Sequence, residues 1–184
     1  MQAILYLVDL VGKVIVGVFL LRFFLQLTRA SFYNPVSKAV VSFTNPLVMP
    51  LRKVIPGWGG VDNASLLAAY LAQIGVIVAT YALLGGLQRF SIVSLLIQGL
   101  LSLILAAISL YTILIFFSVL LSWFNRDPGN PLAMVIGSLT EPVLRPARRL
   151  IPPIAGLDLS PLIVLVALQV LNILVTTELA PRLT

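Results

Sequence analysis

Apolar residues dominate four stretches of the chain and thin out between them: Ile4–Leu27, Ala64–Leu84, Ile92–Trp123 and Leu162–Thr177. A hydrocarbon core about 30 Å thick takes about 20 residues of helix to cross, so each stretch is predicted to be a membrane-spanning helix. The third is overlong and is expected to tilt or project. The fourth is short and is expected to borrow residues from its flanks. No small-residue cleavage pattern follows the first stretch, which therefore reads as a retained helix and not as a signal peptide. Two long segments, Thr28–Asn63 and Phe124–Ser160, separate the first span from the second and the third from the fourth. The short middle connection holds "GGLQRF", a turn signal.

The two long segments share a pattern. "TNPLVMPLRKVIP" from Thr44 to Pro56 and "TEPVLRPARRLIP" from Thr140 to Pro152 both read T-x-P-x-x-x-P-x-[RK]-[RK]-x-I-P, 96 positions apart. Without a gap, the same shift pairs Asn34 with Asn130, Pro35 with Pro131, Ser42 with Ser138, Gly60 with Gly156 and Asp62 with Asp158. Inside the next span it pairs Leu66 with Leu162, Gln73 with Gln169 and Thr80 with Thr176. Chance at ordinary composition gives about two identities over such a segment. The expected architecture is therefore an all-α membrane protein with four transmembrane helices, built as two helix–loop–helix repeats over residues 1–88 and 89–184. Each repeat holds two crossings. The second starts on the same side as the first, and the repeats are parallel, not inverted.

Asn34-Pro35 and Asn130-Pro131 look like an N-cap followed by proline in the first helical turn. A short helix follows each. Thr44 and Thr140 are placed to cap a second short helix, with Pro46 and Pro142 in its first turn. Pro50 and Pro146 then fall where a backbone N–H should bond back, so a kink or a stop is expected. In lipid, broken backbone survives only buried in protein or lining a wet cavity. The segment either lies in the interface, with its basic side chains on lipid phosphates, or dips in as a re-entrant hairpin; the interface is preferred.

Composition narrows the chemistry. The 184 residues are 60% hydrophobic and 10% charged, which fits the bilayer as solvent. Neither cysteine nor histidine is present, which removes disulfides, thiolate metal sites and the commonest general base. No catalytic residue, metal site, cofactor or nucleic-acid contact is expected. Arg29, Lys38, Arg52 and Lys53 lie in the first long segment, and Arg126, Arg145, Arg148 and Arg149 in the second. Arg89 and Arg182, plus Lys13 if the first helix starts late, are all the other side offers. The positive-inside rule then puts both long segments in the cytoplasm and both termini outside.

The doubled N-P…T-x-P-x-x-x-P-x-[RK]-[RK]-x-I-P block, each copy followed by a Gly/Asp turn and a helix, resembles the YggT (YlmG) family of small integral membrane proteins. The resemblance runs from about Arg22 to Thr177. That family often carries R-x-x-x-S-W in the helix before the block. Here the pattern is split: Arg22 stands with Gln26-Leu27, and Ser122-Trp123 stand with Ser118. The resemblance implies a bacterial inner-membrane protein linked to osmotic tolerance, potassium or cation homeostasis and division-gene neighbourhoods. Plastid relatives imply assembly of cytochrome b haem attachment or nucleoid distribution.

Polar residues in and near the spans are the remaining candidates. Arg22 reads first as snorkelling to the headgroups and second as a buried charge paired with Asp62, Asp158 or a partner subunit. Asp9 and Lys13, at i and i+4, are expected to neutralise each other. Gln73 and Gln169 are expected to join helices, or else to line a polar pathway with Asp62 and Asp158. By default those two aspartates cap helices. Trp58 and Trp123 read as interfacial anchors. Candidate partner- or lipid-binding residues are Arg22, Asn34, Pro35, Thr44, Pro46, Arg52 and Lys53, with Asn130, Pro131, Thr140, Pro142, Arg148 and Arg149. Their expected partners are the bilayer, anionic phospholipid headgroups, and further copies of the chain or other membrane proteins. A non-enzymatic scaffold or assembly factor is the expected function, with a cation channel, transporter or regulator as the alternative.

Overall fold

The computed structural model describes residues 1–55, 57, 60–86, 91–124, 129–150 and 158–179. Among them are six α-helices and no strand: α1 (Gln2–Leu27), α2 (Pro35–Val54), α3 (Asn63–Leu83), α4 (Ile92–Phe124), α5 (Pro131–Leu150) and α6 (Ser160–Ile173). A π-helical turn, Leu174–Leu179, extends α6. Four helices are long and apolar enough to cross a membrane: α1, α3, α4, and α6 with its π turn, which together span 20 residues. These are the four spans expected from the hydrophobic pattern. The fourth does borrow residues at both ends. The loop features at Pro56, Trp58, Arg89, Arg126, Pro152, Gly156 and Arg182 lie outside the described residues.

α1 packs against α2, α3 and α4, while α4 packs against α5, α6 and α3. Further contacts join α2 to α3, α5 to α6, and α2 to α5. Three buried clusters follow from this. Val16, Phe19 and Leu20 of α1 meet Val48 of α2, Ala64, Ala68 and Ala69 of α3, and Leu103 of α4. Leu25 and Ala30 meet Leu114, Val135, Ile136 and Leu139. Ile115, Leu144, Ala147 and Val164 form the third. Small residues bring the spans close: a Cβ on Gly12 would collide with Val76. A Cβ on Gly99 would stand 2.9 Å from Ile74 Cγ1 and 3.2 Å from Tyr70 Cε2.

α2 and α5 correct the sequence expectation. Each is one helix of 20 residues, with Pro46 and Pro50, or Pro142 and Pro146, inside it. Thr44 and Thr140 therefore start no second helix. Their hydroxyls donate back to the carbonyls of Val40 and Ile136, at 2.7 and 2.8 Å. A proline removes one ladder bond and crowds the preceding turn. Burial holds the helix together across that gap, since Thr44 and Val48 lie on either side of Pro46 and both are buried. The caps at the helix starts are as expected. Asn34 Oδ1 accepts from the Val36 N–H at 2.9 Å, and Asn130 Oδ1 from the Leu132 N–H at 2.9 Å.

The inward face of α2 carries Ser37, Thr44 and Val48, all buried. Phe43, Leu47, Met49 and Val54 are exposed. Lys38, Ser42 and Lys53 are exposed on the same helix, so its outer surface is mixed.

Candidate functional site

The polar centre of the molecule lies where α1, α2 and the start of α3 meet. Arg22 sits five residues before the end of α1 and is 3% exposed. Its Nη1 donates to Thr44 Oγ1 at 2.7 Å, to Asn45 Oδ1 at 2.9 Å and to the Val41 carbonyl at 3.2 Å. Its Nε lies 3.5 Å from Asp62 Oδ2. The snorkelling expectation is thus corrected. The side chain does not need to reach solvent, because α2 supplies three acceptors beside it and Asp62 supplies a counter-charge.

Asp62 binds the three elements together. It is 2% exposed. One oxygen accepts from Arg52 Nε at 3.2 Å, and the other accepts from Arg52 Nη2 and from the Ser65 hydroxyl. Its Oδ1 also accepts from the Ser65 N–H at 3.3 Å, the expected cap at the start of α3. Burial pushes the Asp62 carboxyl up, but the hydrogen bonds from Arg52 and Ser65 outweigh it and hold the group below the usual carboxylate range. Arg52 Nη2 also donates to Gln26 Oε1 at 3.1 Å.

The second half keeps one part of this arrangement. Arg148 Nε donates to Asp158 Oδ2 at 2.8 Å, ten positions on, as Arg52 does to Asp62. Asp158 Oδ1 accepts from the Ser160 N–H at 2.9 Å. Here too burial pushes the carboxyl up, and hydrogen bonds from Arg148 and Ser160 bring it below the usual range. The rest differs. Ser118 stands where Arg22 would, and Glu141 stands where Asn45 would. Glu141 Oε2 takes Arg148 Nη1 at 2.6 Å. The first centre holds two guanidiniums on one carboxylate; in the second Arg148 lies between two carboxylates, and Glu141 also takes Arg145 Nε at 3.4 Å.

Sequence reasoning missed the Arg52–Asp62 and Arg148–Asp158 pairs, although all four residues match at the 96-residue shift. Equal spacing of opposite charges in both segments was the available signal. It also missed the link between halves, where Asn34 Nδ2 donates to the Pro131 carbonyl at 2.8 Å. Lys53 and Arg149 are exposed and make no ion pair among the described residues. The Asp9–Lys13 pair forms at 2.7 Å as expected.

The polar-pathway residues are not brought together as a set. Gln73 lines a cavity of about 350 Å³ with Asp9, Lys13, Ser102 and Ser109. Asp62 and Asp158 sit in their separate arginine clusters, and Gln169 is exposed on α6. Among the described residues neither glutamine joins helices by a hydrogen bond. Trp123 is exposed at the end of α4.

The comparisons agree on one relationship. The family described as CCB3/YggT matches residues 1–83 and 97–179. An uncharacterized protein of Pseudomonas aeruginosa is 40% identical over 182 residues, covering 97% of this chain and 90% of that protein. One of Vibrio alginolyticus, encoded in a proC 3′ region, is 38% identical, covering 98% of this chain and 97% of its own. The protein named "Uncharacterized protein YggT" from Escherichia coli K12 is 36% identical over 176 residues, covering 94% of this chain and 88% of its own. No solved structure matches the chain. Matched over most of its length by the family and by these relatives, the chain belongs to the CCB3/YggT family.

Proposed function

We propose that this protein is a non-enzymatic scaffold or assembly factor of the bacterial inner membrane, acting in osmotic-stress tolerance or in cell-envelope and division processes. In this reading α2 and α5 form a braced surface, on the cytoplasmic side, that holds other membrane proteins or further copies of the chain. The halves 1–88 and 89–184 act as parallel repeats. Three facts support that: each half runs span, amphipathic helix, span; α2 and α5 start 96 positions apart; and the two family-matched stretches begin at residues 1 and 97.

The observation that carries the proposal is the bracing itself. Asn34 ties α2 to the first turn of α5. Arg52–Asp62 and Arg148–Asp158 tie each amphipathic helix to the span after it. Arg52 and Arg148 are thus paired, while Lys53 and Arg149 stay exposed. A rigid surface with free cations at matched places suits recognition, since little ordering entropy is lost on binding.

The test is complementation of a deletion strain under osmotic stress with Lys53→Gln and Arg149→Gln combined, with membrane levels measured. Both side chains lie outside the structural pairs, so the fold is expected to persist. Normal levels with lost growth and lost cross-linked partners support the surface. Normal levels with full growth overturn it.

A second reading, cation homeostasis by conduction or regulation, draws on the cavity lined by Asp9, Lys13, Gln73, Ser102 and Ser109 among the spans. Cation flux through proteoliposomes that disappears in Gln73→Leu would favour it over the scaffold.

A further inference from the structure

A cavity of about 680 Å³ opens at the loop end of α1, lined by Arg22, Gln26, Arg29, Ala30, Phe32 and Arg52 among others. We propose that it binds a phosphate group, carried by an anionic lipid or free in solution.

The charge balance comes first. Three guanidiniums line the cavity, and Asp62 is the carboxylate that answers them, paired with both Arg22 and Arg52. Arg29 has no hydrogen bond or ion pair from its side chain among the described residues. Arg22 Nε is buried without a hydrogen-bond partner, 3.5 Å from Asp62 Oδ2. The cavity therefore carries uncompensated positive charge, and Arg29 supplies its free donors. A phosphate offers oxygens on several sides and can take forks from separate arginines at once, whereas a carboxylate offers two oxygens in one plane. Phe32, half exposed beside the cations, gives the mouth an apolar edge suited to a lipid.

The backbone at Arg29 is a second, independent observation. The end of α1 is a Schellman turn: the Arg29 N–H donates to the Gln26 carbonyl at 3.1 Å, and the Ala30 N–H to the Leu25 carbonyl at 2.9 Å. The residue in the left-handed position is Arg29, with φ 55°. α3 ends in the same turn, with Gly85 N–H on Ala82 and Gly86 N–H on Tyr81, and there the left-handed residue is Gly85 at φ 69°. Glycine takes this conformation without steric cost; arginine does not. Arg29 is the only non-glycine with positive φ among the described residues. The strain places a guanidinium at the cavity.

The second half lacks the device. Ser118 replaces Arg22, and Glu141 adds a carboxylate against Arg148. One phosphate site per chain is expected, in the first half.

The experiment measures phosphatidylglycerol and phosphatidylcholine retention by native mass spectrometry of the detergent-purified full chain. Binding of inorganic phosphate is measured by calorimetry. The variants are Arg29→Gly and Lys38→Gln. Loss of a charged hydrogen bond predicts that Arg29→Gly weakens binding about tenfold. Lys38→Gln, which removes an equal charge from an exposed residue outside the cavity, is expected to leave binding unchanged. Arg29→Gly is expected to melt no lower than the parent, since glycine relieves the turn. Selective phosphatidylglycerol binding with this variant pattern assigns a lipid headgroup. The same pattern with inorganic phosphate alone assigns a free phosphate. Binding of neither, equal losses in both variants, or a lower melting temperature for Arg29→Gly overturns the proposal.

Discussion

Arg22 of α1 and Thr44 of α2 share a 2.7 Å hydrogen bond at a point where both are nearly inaccessible, 3% and 1% exposed. The bond joins α1 to α2 just ahead of the internal Pro46. Thr44 completes a relay: it accepts from Arg22 and donates to the Val40 carbonyl in its own helix. The bend-prone part of α2 is therefore held from the side by a charge on α1.

Replacing Arg22 tests that hold. Arg22→Leu strands Thr44, Asn45 and part of Asp62 without a donor. Breaking a buried charge pair from one side costs about 3–5 kcal/mol. Arg22→Lys keeps the charge but loses the planar fork that faces α2 and Asp62 at once, so it is expected to restore less than half of the loss. Unfolding of the purified protein in micelles, followed by circular dichroism, measures both. A lysine variant as stable as the parent would show that charge alone suffices.

The two aspartates separate a buried centre from an exposed one. Asp62→Asn is expected to cost about 3 kcal/mol, because it leaves Arg22 buried without its counter-charge. The Asp158 side chain is 34% exposed and its partner Arg148 40%. Asp158→Asn is expected to cost about 1 kcal/mol or less, since solvent screens the pair and Glu141 still answers Arg148. Equal losses in paired melting experiments would contradict this ordering.

Acid should act through the same carboxylates. The folded-state pKa values of Asp62 and Asp158 lie below the ordinary 3.8. The unfolded chain then binds protons more readily than the folded one as pH falls. The stabilisation is fully present above the ordinary value and is lost as pH drops through the lower folded values. A melting temperature flat from about pH 7 to 5 and falling below about pH 4 is expected, with a shallower fall in Asp62→Asn. A fall that begins near neutrality would point to other groups.

Much of this molecule is legible in its sequence, for identifiable reasons. The spans are readable because a lipid-facing helix has to be apolar along its length, and the caps Asn34 and Asn130 because proline follows them. The continuity of α2 and α5 is not readable. Local rules weigh Pro46 and Pro50 against the helix, and only the packing of Thr44 and Val48 against α1 and α3 reverses the balance. Arg22 is opaque in the same way: its distance from the helix end suits snorkelling, and nothing local says that Thr44, Asn45 and Asp62 converge on it. The cavity at Arg29 depends on a backbone conformation that sequence favours only for glycine.

Close packing of α1 on α3 gives a test remote from the polar centre. A Cβ at Gly12 would overlap Val76, whose branched side chain has little freedom to yield. Gly12→Val is expected to destabilise by about 1–3 kcal/mol through overpacking. Gly17, with open space at its Cβ, should accept alanine with no loss. Similar effects at both positions would remove the claim that helix approach is set at Gly12.

Orientation in the membrane is the last prediction. Four spans are an even number, so both termini share one side. The connections between α1 and α3 and between α4 and α6 hold Arg29, Lys38, Arg52, Lys53, Arg126, Arg145, Arg148 and Arg149. The other side holds Arg89 and Arg182, and Lys13 lies inside α1. Lys13 is neutralised by Asp9 at 2.7 Å. The ion pairs of Arg52 with Asp62 and of Arg148 with Asp158 do not weaken the bias, because orientation follows the count of basic residues and acidic ones contribute little. Alkaline phosphatase fused after Thr184 is expected to be active in a bacterial host, and a green fluorescent protein at the same point dark. A fluorescent fusion beside an inactive phosphatase would reverse the orientation and put α2 and α5 outside. A phosphate site at Arg29 would then face the outer leaflet.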